Sequence, residues 1–250
     1  MSSVGSRAAS TSPREQLRLA GAAAVACLGG FAFLAAFVPR SGPFAWEAGA
    51  MYTDSAWRVD LVVGAPEETL LGLGLAMALA TTAAAAVLAL RRRYLEAATL
   101  VICLPAVLVL DPLVKGLVQR TPAYPAGGDE YSFPSGAAMV SMIVVVAVLL
   151  GIERDGARMA ASAPVAASVL VYGCALVLFG WHYPTDVIAG WLLSAGLAAA
   201  VWLALAPLRR RRASSRADRG RCVEANAPQA RLPEGRAAQP ARADGSSRRL

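Results

Sequence analysis

Histidine and lysine are almost absent from this 250-residue chain, in which each occurs once, as His182 and Lys115. A single histidine cannot complete a zinc site of three or four ligands, and no acidic cluster offers a magnesium site. The four cysteines show no C-x-x-C spacing, which argues against both a zinc site and a disulfide framework. We therefore expect a protein without a metal or other cofactor.

Charge is also scarce, since charged residues make up 16% of the chain and are missing from long apolar runs. A helix rises 1.5 Å per residue, so about 20 apolar residues cross roughly 30 Å of hydrocarbon. A shorter run, 97–110, reaches residue 118 if Asp111 and Lys115 lie at the membrane edge or inside the bundle. We predict an all-α integral membrane protein, a six-helix bundle. The other runs are 19–38, 69–90, 131–152, 159–183 and 187–208.

The basic residues fall mainly on one side of these spans. With both termini inside, the outer segments hold only Arg40, Arg58, Lys115 and Arg120 of the 24 lysines and arginines. This positive-inside bias predicts cytoplasmic termini. The net charge of +7 is then mostly cytoplasmic, where we expect it to contact membrane lipid and not nucleic acid. The arginine- and alanine-rich composition suggests a GC-rich bacterium, and we expect the protein in the bacterial inner membrane.

Both ends of the chain are poor in large apolar residues. Residues 1–18 and 209–250 cannot bury enough surface to fold, so we expect a disordered cytoplasmic N-terminus and a disordered basic cytoplasmic tail around a domain of residues 19–208. The outer segment 39–68 carries the aromatic residues Trp46, Tyr52 and Trp57. It indicates either an interfacial aromatic belt or a short amphipathic helix that helps to admit a lipid substrate.

Two outer segments carry groups that could bind an anion. In "KGLVQRTP", Lys115 and Arg120 could converge on one anion, or they could be cations at a membrane boundary. In "FPSGA", Ser135 and Gly136 would expose a hydroxyl and backbone N–H groups at the positive end of a helix, where phosphate binds well. The alternative for this motif is an ordinary helix start.

The third outer segment, "GWHYPTDVIAG", contains His182 and, four residues later, Asp186. A hydrogen bond from the imidazole to Asp186 would fix the tautomer and stabilise the imidazolium formed during nucleophilic attack. The alternative is a lone interfacial histidine beside a helix-capping acid. Because the three segments lie on one membrane face, the sequence favours a shared site.

In order and spacing, these motifs resemble the type 2 phosphatidic acid phosphatase (PAP2) superfamily over residues 70–208. That family pattern is a lysine followed by Arg-Pro, then Pro-Ser-Gly-His, then Ser-Arg ahead of a histidine with an aspartate four residues later. The resemblance implies the six-helix PAP2 membrane core and a phosphohistidine intermediate. It implies His182 as nucleophile, Asp186 as the residue that orients it, and a phosphate held by Lys115, Ser135 and Gly136 with help from Arg120.

The chain departs from the family pattern at several positions. Ala137 stands where the family has its general-acid histidine, Leu176 where it has an arginine, and Arg120 lies two positions early, with Pro122 at the commonest position. General acid catalysis contributes roughly 10²–10⁴-fold, so its loss would impair hydrolysis of a monoester with a poor leaving group. Asp129, Glu130 or Tyr131 could supply the proton if buried.

Two functions are compatible with these departures. We expect a lipid phosphatase or phosphotransferase that acts at the extracytoplasmic face on a lipid phosphate or, because its leaving group is better, on a polyprenyl diphosphate. The alternative is a catalytically silent protein that binds lipid phosphate or serves as a scaffold. An unrelated transporter would place polar residues at mid-membrane, whereas the charges here lie at the rims.

Overall fold

The computed structural model describes residues 12–51, 67–122, 130–151 and 155–208, together with Arg211. The chain divides into two compact units, residues 1–209 and 210–250. In the first unit the described residues form helices joined by turns, and they include no strand. The predicted all-α fold class is confirmed. Most of the terminal segments predicted to be disordered, along with Tyr52, Trp57 and Asp129, lie outside the described residues.

Six long helices and one short helix make up the described part of the bundle. The short helix, α2, lies in the segment between the first two long helices, and Trp46 on it is 56% exposed. The helices are α1 (Pro13–Phe37), α2 (Ala45–Met51), α3 (Glu67–Leu90), α4 (Tyr94–Val118), α5 (Gly136–Gly151), α6 (Asp155–Leu178) and α7 (Pro184–Ala204).

Four of the described helical segments are long and apolar enough to cross a membrane: Arg14–Phe37, Gly72–Leu90, Tyr94–Val118 and Pro184–Leu208. Two further apolar helical stretches, Gly136–Gly151 and Ala163–Leu178, are shorter than a full span. Large apolar side chains on these helices are widely exposed, as a lipid-facing surface requires. The chain is a multi-pass membrane protein.

The helix ends differ from the predicted runs where local capping decides them. α1 begins at Pro13, within the segment expected to be disordered, because Ser12 and Glu15 form a capping box. α6 ends at Leu178, before the predicted residue 183, because Gly180 takes a left-handed conformation with φ of 76°. Each of these helix ends depends on one or two capping residues, and the length of an apolar run does not show where such residues end the helix.

Helix α5 occupies the middle of the bundle, in contact with α3, α4, α6 and α7, while α1 packs along α7. Its side chains Met139 and Ile143 are fully buried among Leu100 and Cys103 of α4 and Leu193 of α7. Because α5 is apolar on all sides, it forms the core on which the other helices pack. The start of α5 therefore has a fixed position relative to the end of α4 and the start of α7.

Gly190 of α7 lies close against the start of α5. A Cβ atom there would lie 2.6 Å from the carbonyl oxygen of Ser135 and 3.1 Å from the Cβ of Ala138. We expect Gly190→Ala to lower the free energy of unfolding by about 1–3 kcal/mol, because the backbone of α5 must move. Gly29→Ala in α1, where a Cβ meets nothing within 4 Å, is the matched control and should be neutral or stabilising. Unfolding titrations in mixed micelles measure both, and equal stability of the two variants would contradict this packing.

Candidate active site

Several chain segments meet at one end of the bundle, which we call the site end: the segment after α1, the end of α4, the start of α5 and the turn between α6 and α7. All three predicted motifs therefore converge, and the segment after α1 joins them. Backbone hydrogen bonds link these segments, from Thr121 N to Arg40 O at 2.8 Å, from Ser132 N to Arg120 O at 2.9 Å, and from Ser135 N to Asp186 O at 3.0 Å.

The turn between α6 and α7 holds His182 in place. The N–H groups of Trp181 and His182 both donate to the carbonyl of Leu176, at 3.0 and 3.2 Å, and Gly180 supplies the left-handed residue that this turn requires. Pro184 then begins α7, where a missing N–H costs nothing. His182 is 8% exposed, so its ring is set by the protein and not by solvent.

The imidazole of His182 bonds to a backbone carbonyl. Nδ1 lies 3.1 Å from the carbonyl oxygen of Ser132. Since a carbonyl oxygen only accepts, Nδ1 carries the hydrogen in the neutral ring, and Nε2 has a free lone pair. The sequence predicted Asp186 for this role. Its Oδ2 lies 3.7 Å from Nδ1, too far for a hydrogen bond but close enough to stabilise an imidazolium.

Asp186 is fixed from two other directions. Its Oδ2 accepts from the N–H of Tyr183 at 3.1 Å, in the first turn of α7, and its Oδ1 accepts from Nη1 of Arg120 at 2.6 Å. The carboxylate is completely buried. Both contacts hold it beside His182 without involving the imidazole, so Asp186 presents its charge to the ring from a rigid position.

Arg120 is buried completely, and its guanidinium bonds to protein groups on both sides. Nη1 donates to Thr185 Oγ1 at 2.7 Å as well as to Asp186, and its Cζ lies 4.0 Å from the centre of the Tyr183 ring. Nη2 donates to Glu47 Oε2 at 2.6 Å and to the carbonyl of Gly42 at 3.3 Å. Among the described residues its Nε has no hydrogen-bond partner.

Sequence reasoning missed Glu47, which lies on α2 and is fully buried. Its Oε1 accepts from the N–H of Thr185 at 3.0 Å and from Thr185 Oγ1 at 2.5 Å, and its Oε2 also accepts from Phe44 N at 2.8 Å. A signal was present, because Glu47 is an acid in an apolar and aromatic segment, and a buried arginine needs carboxylate partners. Nothing in the spacing, however, connected it to Arg120.

Of the remaining predicted phosphate-binding residues, Ser135 and Gly136 lie at the start of α5 and Lys115 lies in α4. Ser135 Oγ accepts from the N–H of Ala138 at 3.3 Å and so caps the helix. A Cβ on Gly136 would lie 2.9 Å from the carboxyl carbon of Asp111, and Lys115 Nζ lies 3.2 Å from Asp111 Oδ2. Lys115 and the start of α5 therefore both face Asp111, a carboxylate that the sequence placed either at the membrane edge or inside the bundle.

Comparison with known families identifies the bundle. A model of the PAP2 superfamily matches residues 73–210, more than half of the chain. The chain belongs to the PAP2 superfamily. Searches among curated proteins and among solved structures found no match. The match includes the segments that carry Lys115, Ser135 and His182, but it begins after α1 and α2, so Glu47 lies outside it.

Two of the positions where this PAP2 protein departs from the family motifs adjoin one apolar cluster. Leu176 is 1% exposed and packs in a cluster with Tyr172 and Val187, and Ala137 lies against the same cluster. An arginine at position 176 would have to enter this apolar cluster, whereas Ala137 is only partly buried.

Two of the alternative acids named from the sequence can be located. Glu130 is exposed, and Tyr131 is half-buried. The hydrogen bond to the Glu130 carboxylate raises the pKa of Tyr131 above its ordinary value. No three His, Cys, Asp or Glu side chains cluster as metal ligands would within the ranges that the structure describes.

Proposed function

We propose that this PAP2 protein transfers a phosphoryl group from a lipid diphosphate to His182 and then to water, at the extracytoplasmic face of a bacterial inner membrane. The observation that carries the proposal is the 3.1 Å contact between His182 Nδ1 and the Ser132 carbonyl, which leaves Nε2 as the free nucleophile. The positive-inside distribution of arginine supports the orientation.

The chemistry takes two displacements. The Nε2 lone pair attacks the terminal phosphorus, an N–P bond forms, and the P–O bond to the lipid monophosphate breaks with its electron pair on the departing oxygen. Water then attacks the phosphohistidine, the N–P bond breaks, and inorganic phosphate leaves with the water oxygen. Asp186, 3.7 Å from Nδ1, stabilises the positive charge on the phosphorylated ring.

The preference for a diphosphate rests on the missing general acid. An alkoxide needs a proton as it leaves, and the family's histidine for this purpose is replaced by Ala137. A lipid monophosphate leaves without one. Polyprenyl diphosphates are therefore the substrate class that these residues suit best. A phosphate monoester such as phosphatidate should be hydrolysed more slowly.

We expect the purified protein to release phosphate from a polyprenyl diphosphate at least about 100-fold faster than from phosphatidate, the lower bound for a lost general acid. Parallel phosphate-release assays in the same detergent measure the ratio. The Ala137→His variant should lower this ratio of rates, because it should accelerate only the phosphatidate reaction. Phosphatidate turnover equal to or faster than diphosphate turnover in the wild type would contradict the proposal.

A silent lipid-phosphate binder is the second candidate function, and the absence of the family's histidine and arginine at Ala137 and Leu176 favours it. Both predicted phosphate-binding cations contact carboxylates, Lys115 with Asp111 and Arg120 with Glu47 and Asp186. In either function a phosphate must compete with these carboxylates. Absence of turnover on every lipid tested, with retained binding of lipid phosphate to wild type and His182→Ala alike, would support this function over the first.

A further inference from the structure

The segment between α1 and α2 is bonded to the active site although it lies outside the matched family region, residues 73–210. Arg40 and Gly42 bond to Thr121, at 2.8 and 3.0 Å, and Gly42 also accepts from Arg120. Glu47 completes these contacts through Arg120 and Thr185. The site end is therefore assembled partly from residues that the family motifs do not include.

The charges at Arg120 show what Glu47 contributes. One guanidinium contacts two carboxylates, each at 2.6 Å, and all three side chains are fully buried. If Arg120 contacted Asp186 alone, the pair would be neutral, and Asp186 would present little net charge to His182. With Glu47 present the group carries a net charge of −1 beside the imidazole, where charge interactions are stronger than in water.

We infer that Glu47 is a positioning residue for His182: it balances Arg120, so that Asp186 keeps a negative charge toward Nδ1, and it fixes Thr185 in the first turn of α7. The inference rests on the proposed phosphohistidine chemistry. Glu47 contacts none of the predicted reacting atoms and acts through Arg120, Thr185 and Asp186. Its effect belongs to the step in which the imidazole becomes positively charged, and not to substrate binding.

Glu47→Gln tests this with little change of shape. The glutamine oxygen can still accept from Thr185, while its NH2 group then faces Arg120 Nη2 and Phe44 N, which lose one acceptor. Arg120 still has Asp186, so no buried charge is left without a partner. We expect kcat on the lipid diphosphate to fall roughly 10- to 100-fold, the loss typical of a slightly misplaced catalytic group, with KM nearly unchanged. Glu47→Asp, which retains the charge, should recover part of kcat. Glu96→Gln is the matched control, because it breaks the 3.7 Å ion pair with Arg93 in the first turn of α4, away from the site end.

A second measurement does not depend on turnover. His182 is the only histidine, so ¹⁵N-histidine labelling gives the ring nitrogens of one residue. Glu47→Gln should shift these signals at fixed pH, and Glu96→Gln should leave them as in the wild type. Unchanged ring signals together with wild-type kcat in Glu47→Gln would overturn the inference. If the wild type hydrolyses no lipid, the proposed function fails, and the ring signals alone then decide whether Glu47 acts on His182.

Discussion

Replacing His182 with alanine should lower phosphate release from the lipid diphosphate by at least about 10³-fold, since loss of a nucleophile removes the covalent route altogether. No other histidine exists in the chain to take over. In the neutral ring the Ser132 carbonyl holds the hydrogen on Nδ1, so the attacking atom is Nε2, and the variant loses the nucleophile itself.

Two measurements check this result. Wild type mixed with ³²P-labelled substrate and quenched in alkali should retain label on the protein, because phosphohistidine survives alkali, whereas His182→Ala should retain none. The fold should survive in the variant, since one hydrogen bond to a backbone carbonyl contributes about 1 kcal/mol. More than a tenth of wild-type turnover in a folded His182→Ala variant would exclude His182 as the nucleophile.

The general architecture could be predicted from the sequence because it depends on composition over long stretches. Long uncharged runs identify apolar helices, and the six long helices follow them in order. The ends shifted where single residues decide them, as at Pro13 and Gly180. The family assignment rested on short motifs of neighbouring residues, which can be recognised in the sequence alone. The match over residues 73–210 confirms the assignment.

The partners of the site residues could not be predicted in the same way. Arg120 and Glu47 are 73 residues apart, and Thr185 and Glu47 are 138 apart. Such pairs depend on how α2 packs against the end of α4 and the start of α7, and the spacing of residues along the sequence does not predict this packing. For the same reason the sequence assigned the Nδ1 contact of His182 to Asp186, four residues away, whereas the nearest acceptor is the carbonyl of Ser132.

Arg120→Met is expected to have the largest effect on stability of any single substitution at the site end. The methionine fills similar space, but it leaves Glu47 and Asp186 as two completely buried carboxylates without a cation. Removing one partner from such a buried group costs roughly 3–5 kcal/mol, because the remaining charges are neither solvated nor balanced. Dodecyl sulfate titration of the protein in mixed micelles, followed by circular dichroism, measures the change.

A matched control and a second variant separate charge from packing. Arg93→Met removes an arginine that is 17% exposed and bonded to Gly151 and Glu96, and it should cost less than about 1 kcal/mol. Adding Glu47→Gln to Arg120→Met removes one of the two unbalanced charges, so the double variant should be more stable than Arg120→Met alone. If the second substitution instead lowers stability further, packing and not charge balance holds Arg120 in place. In that case Glu47 would have no electrostatic means of acting on His182.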